Sequence, residues 1–259
     1  MSGQAFEVVC EIEPATRPDL RHVRHQIGVF APTAAAFLIP DNHIGRATVS
    51  SIAVAHEVEA MGGRSIACLN ARDRNLLGLR RDLLTAAAYG VDQFLFVYGD
   101  KPASGGRSEL TVRAMIEEAR SYTAEPIFAG SPPLRIGVSS AGTGFPAWKA
   151  CADFVFLQVA FSVEEHLRWR DSVSVAGPVY AGVMVVASVA MARRLAGSIP
   201  DISIPAELVA AVEADPRDAG VAAACEQVLA LRECGAFDGV HLIPVGRYRE
   251  MAARLESAL

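Results

Sequence analysis

The sequence predicts a (β/α)8 barrel, a TIM barrel of class α/β, in a single domain over residues 1–259. Three observations predict it. Eight short apolar, β-branched runs recur along the whole chain, most of them separated by stretches with helical spacing. The first run ends in Glu-Ile-Glu-Pro, where a doubly wound sheet would carry a glycine-rich turn. The 259 residues would allow two domains by length, but barrels of about 250 residues are routinely one.

The strands are read in order as 8–14 (VVCEIEP), 35–41 (AAFLIPD), 64–70 (RSIACLN), 93–99 (QFLFVYG), 135–140 (RIGVSS), 154–161 (FVFLQVAF), 178–186 (PVYAGVMVV) and 239–245 (GVHLIPV). Near-continuous apolar runs of this length suit strands covered on both faces, as in a parallel sheet. Between them, 46–63 carries Val49, Ile52, Ala53, Val58 and Met61 near the 3.6 period and closes on Gly62-Gly63. Residues 75–90 repeat the pattern with Leu76, Leu77, Leu79, Leu83 and Leu84 and close on Gly90. Helices are also expected over 108–122, 206–215 and 218–235. Only a short stretch separates Ser140 from Asp153, and it contains Gly142, Gly144 and Pro146, so the crossover after the fifth strand is trimmed.

Composition excludes several classes. Apolar residues at 51% and charged residues at 20% exclude disorder. A net charge of −5 offers no basic footprint, so no nucleic-acid partner is expected. Mean hydropathy is positive at +0.27. The longest apolar run, 179–192, stops at Arg193 and Arg194, short of the roughly 20 residues of a membrane span. It reads as a buried strand running into a helix, and no membrane association is expected. Glu7, Glu11 and Glu13 stand where a secretory leader would be apolar. Five cysteines without a CxxC pair suit a reducing cytoplasm.

Barrel chemistry sits at the carboxyl ends of the strands. Those ends offer Glu11 and Glu13, which alternation sets on one face, then Asp41, Asn42 and His43, Cys68 and Asn70, Tyr98 and Asp100, Gln158, and Arg247. Taken singly, each has a structural reading. Asp100 before Lys-Pro suits a turn, Glu11 suits an ion pair with a core arginine, and Gln158 suits a strand cap. Together, carboxylates at the ends of nearby strands suit proton transfer and the stabilisation of a cationic intermediate. Other motifs fail. His56-Glu57 lacks the second histidine of HExxH, Gly137-Val-Ser139 lacks the closing glycine of GxSxG, and no phosphate-binding glycine loop is complete, so no metal site is expected. His22 and His25, interleaved with Arg21 and Arg24, read as a solvated helix face.

The order of these segments resembles the methylenetetrahydrofolate reductase family over nearly the whole chain. Glu11-Ile-Glu-Pro14 resembles its opening Glu-x-x-Pro, and Tyr98-Gly-Asp-Lys-Pro102 its Arg-Gly-Asp-x-Pro turn. The run from Gln158 through Asp171 is similar to its sixth strand and following helix. Gly182 to Ser188, Ile202-Ser-Ile-Pro205, and Gly239-Val-His-Leu with Arg247 follow in register. The resemblance implies reduction of 5,10-methylenetetrahydrofolate to 5-methyltetrahydrofolate, in one-carbon metabolism and methionine biosynthesis. It implies Glu11 as general acid, Asp100 beside the pterin and the hydride donor, Gln158 and Asn70 on the folate, and Arg247 on the glutamate tail. Asp41, Cys68, Tyr98, Asp100 and Ser140 fall on the cofactor side.

The departures concern FAD, the family's default cofactor. Cys68 stands where the family has a histidine, Tyr98 where it has an arginine, and Val189 near its folate-stacking phenylalanine. Lys149 is the lone basic residue of the trimmed crossover, where a flavin diphosphate needs cations. These departures imply a variant that passes hydride directly from NADH or NADPH. The alternatives are an FAD-dependent ping-pong enzyme, a deazaflavin donor, and a barrel that binds reduced folate without reducing it. A homo-oligomer is compatible with all of them.

Overall fold

The computed structural model describes residues 5–42, 45–100, 108–140, 144–198 and 202–259; His43, Lys101, Pro102 and Gly142 lie outside the described residues. Eight parallel strands close into a barrel in chain order. They are β1 (Glu7–Glu11), β2 (Ala36–Ile39), β3 (Ser65–Asn70), β4 (Gln93–Val97), β5 (Arg135–Ser140), β6 (Phe154–Val159), β7 (Val179–Met184) and β8 (Gly239–Ile243). Seven lie within a run read from the sequence, and β1 begins one residue before its run, at Glu7. The ring closes where β1 pairs with β8, with Val9 opposite His241 and Cys10 opposite Leu242.

The pleat divides the core in two. Outward-facing Val8, Cys10, Phe37, Ile39, Phe94 and Phe96 pack under the helices. Inward-facing Val9, Leu38, Ile66, Cys68, Leu95, Phe154, Phe156 and Tyr180 fill the barrel. Three of these aromatics pack in succession, Phe154 edge-on to Phe156 at 5.6 Å and Phe156 tilted against Tyr180 at 5.0 Å. The space comes from Gly137 on β5, where an added Cβ would lie 2.0 Å from the Phe154 ring.

The helices are α1 (Arg21–Phe30), α2 (Ser51–Ala60), α3 (Leu76–Ala88), α4 (Val112–Tyr122), α5 (Val163–Ser172), α6 (Val189–Ser198), α7 (Ala206–Ala214), α8 (Ala219–Glu233) and α9 (Tyr248–Ala258). Two start later than apolar spacing alone suggests. Ser50 holds an extended backbone just before α2, and the Thr111 side chain accepts from the Ala114 N–H to cap α4. The segment 248–258, which the sequence reading leaves without an element, is α9 and buries Tyr248, Met251, Ala252 and Leu255 at helical spacing. The crossover between β5 and β6 is a single 3-10 stretch, Ala147–Cys151. Three helices, α6 to α8, connect β7 to β8 and carry a small apolar cluster of their own around Val186, Ala192 and Val212. No helix among the described residues is long and apolar enough to cross a membrane.

Candidate functional site

The carboxyl rim of the barrel is built by the residues where inward alternation runs out. On β1 the inward residues are Glu7, Val9 and Glu11, so Glu11 stands at the rim. Its Oε2 lies 3.1 Å from His241 Nε2 on β8. The two side chains are 15% and 11% exposed, sheltered yet within reach of a ligand. The His241 ring packs 5.2 Å from Phe156, which forms the floor beneath the pair. Glu11 is therefore held by an imidazole, not by the core arginine that a structural ion pair would require. His241 went unrecognised as a site residue in the sequence, where a histidine inside GVHLI reads as core. The usable signal was its inward parity with Gly239, two residues earlier on β8.

Cys68 faces the same space from β3. Burial pushes its thiol well above the usual range, Glu11 and Asp41 add to that, and Arg74 opposes it. The thiol is thus protonated at neutral pH. Asp41 and Asn70 are brought together but are committed to each other. Asp41 Oδ2 accepts from the Asn70 backbone N–H at 3.0 Å, from Asn70 Nδ2 at 2.7 Å, and from Arg74 Nη1. Arg74 Nε also donates to Asp82 at 2.9 Å. This buried latch ties the loops after β2 and β3. Gly99, at φ +95°, passes so close to Asn70 that an added Cβ would sit 2.9 Å from the asparagine Cβ, a conformation and a clearance that favour glycine.

Asp100 follows β4 and is exposed at the same rim as Glu11. The Tyr98 ring lies under the Arg72 guanidinium, 5.0 Å from its centroid. Gln158 ends the inward series of β6, and its Oε1 accepts from the Val159 N–H at 2.9 Å. Ser140, by contrast, is turned by the pleat away from the barrel interior. It is buried and its hydroxyl has no hydrogen-bond partner, while its neighbour Ser139 is the exposed serine facing the mouth. Arg247 sits at the start of α9, donating to the Pro216 carbonyl at 3.0 Å and facing Glu250. Glu13 also lies outside the pair: its backbone N–H donates to Gln26 and Tyr248, and its carboxylate lies 3.6 Å from the exposed His22.

An eight-stranded parallel barrel with a carboxylate and an imidazole paired at its mouth defines a class of sites suited to proton transfer on a ligand seated above Phe156. Residues 147–257 match the family model for methylenetetrahydrofolate reductase, which bears out the resemblance over that part of the chain. Comparison with curated proteins returns no match. Among solved structures the chain is similar to an uncharacterized protein from Clostridium thermocellum that binds two copies of 5-methyl-5,6,7,8-tetrahydrofolic acid. Identity is 13%, coverage is 98% of this chain and 96% of that one, and the TM-score is 0.67. It is similar also to EDTA monooxygenase from Chelativorans sp. BNC1 (10% identity, 99% and 94% coverage, TM-score 0.54). A third similar structure is 2,3-dimethylmalate lyase (13% identity, 98% and 81% coverage, TM-score 0.53). At these identities the likeness is one of fold.

Proposed function

We propose that this barrel binds a reduced folate at its carboxyl rim and reduces 5,10-methylenetetrahydrofolate to 5-methyltetrahydrofolate with hydride from NADH or NADPH. The observation that carries the reading is the sheltered Glu11 carboxyl, aimed into the mouth and held by a titratable partner. The family match and the folate-binding neighbour support the choice of substrate. Glu11 donates a proton to the nitrogen leaving the methylene carbon, and the ring opens to an iminium ion. Asp100 and the Glu11 carboxylate left behind stabilise that cation until hydride converts the methylene to a methyl group. Gln158 orients the pterin and Arg247 faces the glutamate tail. Asn70, expected on the folate from the resemblance, is buried with its amide spent on Asp41 and Asp73 and shapes the loop beside the mouth instead.

The flavin-free form of the proposal rests on the loops after β3, β4 and β5. A flavin diphosphate needs uncommitted cations. Among the described residues there, Arg74 is locked between Asp41 and Asp82. The Lys149 Nζ donates to the Ser139 carbonyl at 2.6 Å, and burial pulls its ammonium down from the usual lysine range. Arg72 remains, laid over Tyr98 with Nη1 unpartnered, a single cation suited to one phosphate of a dissociable donor. Cys68 offers a protonated thiol where the family's histidine meets the flavin. The described residues of these loops do not fit a tightly held flavin; Lys101 and Arg107 lie outside them.

The test is NADH and NADPH oxidation by the purified protein, with and without methylenetetrahydrofolate, together with its visible spectrum. Folate-dependent oxidation by a colourless protein is the expected result. A yellow chromophore that survives dialysis would favour the FAD form. The second reading, a folate-binding barrel without reductase activity, is favoured by the Clostridium thermocellum neighbour. Folate binding without oxidation of either donor would establish it.

A further inference from the structure

Glu11 can act as a repeating proton donor only if something reloads it after each turnover. Among the described residues, the hydrogen-bond partner of its carboxylate is His241, at 3.1 Å across the junction of β1 and β8. We propose that His241 is the positioning residue that shares one proton with Glu11 and reloads it from solvent, an inference that rests on the reductase reading above.

Among the described residues, Asp100 after β4 is a further carboxylate at this rim, and the groups on the other packed elements are committed elsewhere or do not titrate. From β2, Asp41 is bound by Arg74 and Asn70. From β3, Cys68 keeps its proton, because burial raises its thiol. From β6 come Phe156 and Gln158, neither of which titrates. From β7, one layer below, the Tyr180 hydroxyl donates to Glu7 at 2.6 Å, and burial followed by Glu7 pushes its phenol up. From α9, the Tyr248 hydroxyl accepts from the Glu13 N–H at 2.9 Å and donates to the Glu11 carbonyl at 3.4 Å, and its phenol too is raised by burial.

One proton held between a carboxylate and an imidazole can sit on either with no change in net charge. The state with a carboxylic acid and a neutral imidazole is the donor state. When the acid protonates the departing nitrogen, one C–N bond breaks and one N–H bond forms. Hydride from the nicotinamide then completes the methyl group, and the oxidised nicotinamide leaves. The cycle consumes one proton, and His241, 11% exposed, takes it up from water and returns it to Glu11.

Two measurements test this. In His241→Gln, which retains an N–H donor, kcat should fall about 100-fold while KM for the folate changes little. The alkaline limb of the kcat profile should move, and added imidazole should restore rate to His241→Ala. A parental profile with no rescue overturns the assignment. Independently of turnover, the 15N resonance of His241 Nε2 should move between the parent and Glu11→Gln at one fixed pH, because the group it faces at 3.1 Å has changed. An unchanged resonance overturns the shared proton. A moved resonance in a protein that oxidises neither donor would sink the reductase reading while leaving the pair intact.

Discussion

Two carboxylates sit four residues apart on the same face of β1, and they are held in opposite ways. Glu7, at the amino end, accepts from the Tyr180 hydroxyl at 2.6 Å and faces the Arg64 guanidinium at 3.2 Å. Glu11, at the carboxyl end, meets only an imidazole among the described residues. A carboxylate facing a guanidinium is fixed in its charge, because arginine does not release its proton in proteins. A carboxylate facing an imidazole can exchange one. The difference separates the structural floor of the barrel from the rim where the chemistry is proposed, although the strand and the pleat are the same.

The largest expected effect breaks the rim side of that comparison. Glu11→Gln removes the transferable proton but keeps a hydrogen bond to His241. Turnover should fall about 10²- to 10⁴-fold, read by steady-state kinetics, with the thermal melt and folate binding preserved. Next comes the third inward carboxylate, Asp41, which is pinned by a guanidinium as Glu7 is. Arg74→Ala leaves Asp41 and Asp82 facing each other's charge in a sheltered site. It should cost about 3–5 kcal/mol in urea unfolding, so a destabilisation under 1 kcal/mol would show the latch to be idle.

The imidazoles sharpen the comparison further. His166 on α5 is fully buried, with Nε2 3.1 Å from the Gly182 carbonyl and Nδ1 unpartnered. Burial holds its pKa at about 4, against an ordinary value of 6.5. The folded state therefore resists a proton that the unfolded chain accepts. Stability from this group is complete above pH 6.5 and declines as pH falls toward 4, by roughly 3 kcal/mol in all. His166→Gln should flatten that acid limb in denaturation curves taken across the window. The smallest effect belongs to the floor. Glu7→Gln should lower stability by about 1–2 kcal/mol, read as a lower Tm, and leave kcat where it was.

Much of this fold was legible because strands buried on both faces are continuous apolar runs, and all eight stood out. Helix starts were less so, since Ser50 and Thr111 stop α2 and α4 short of where apolar spacing would carry them. Glu11 was legible from alternation and from the Glu-x-x-Pro pattern. His241 was not, because its partner lies on the far side of the chain and its neighbours on β8 are apolar. Ser140 turned on parity: with two serines at the end of β5, a one-residue difference decides which is exposed, and it is Ser139.

The Glu11–His241 pair bridges the first and last staves of the ring, 230 residues apart. Neither half of the chain can assemble it alone. A truncated or half-docked polypeptide would hold the acid without its companion, so the pair that the proposed reduction needs exists only when the final strand has clicked home. Recovered turnover on refolding, or on mixing amino- and carboxyl-terminal fragments, would therefore count finished rings and ignore partly built ones.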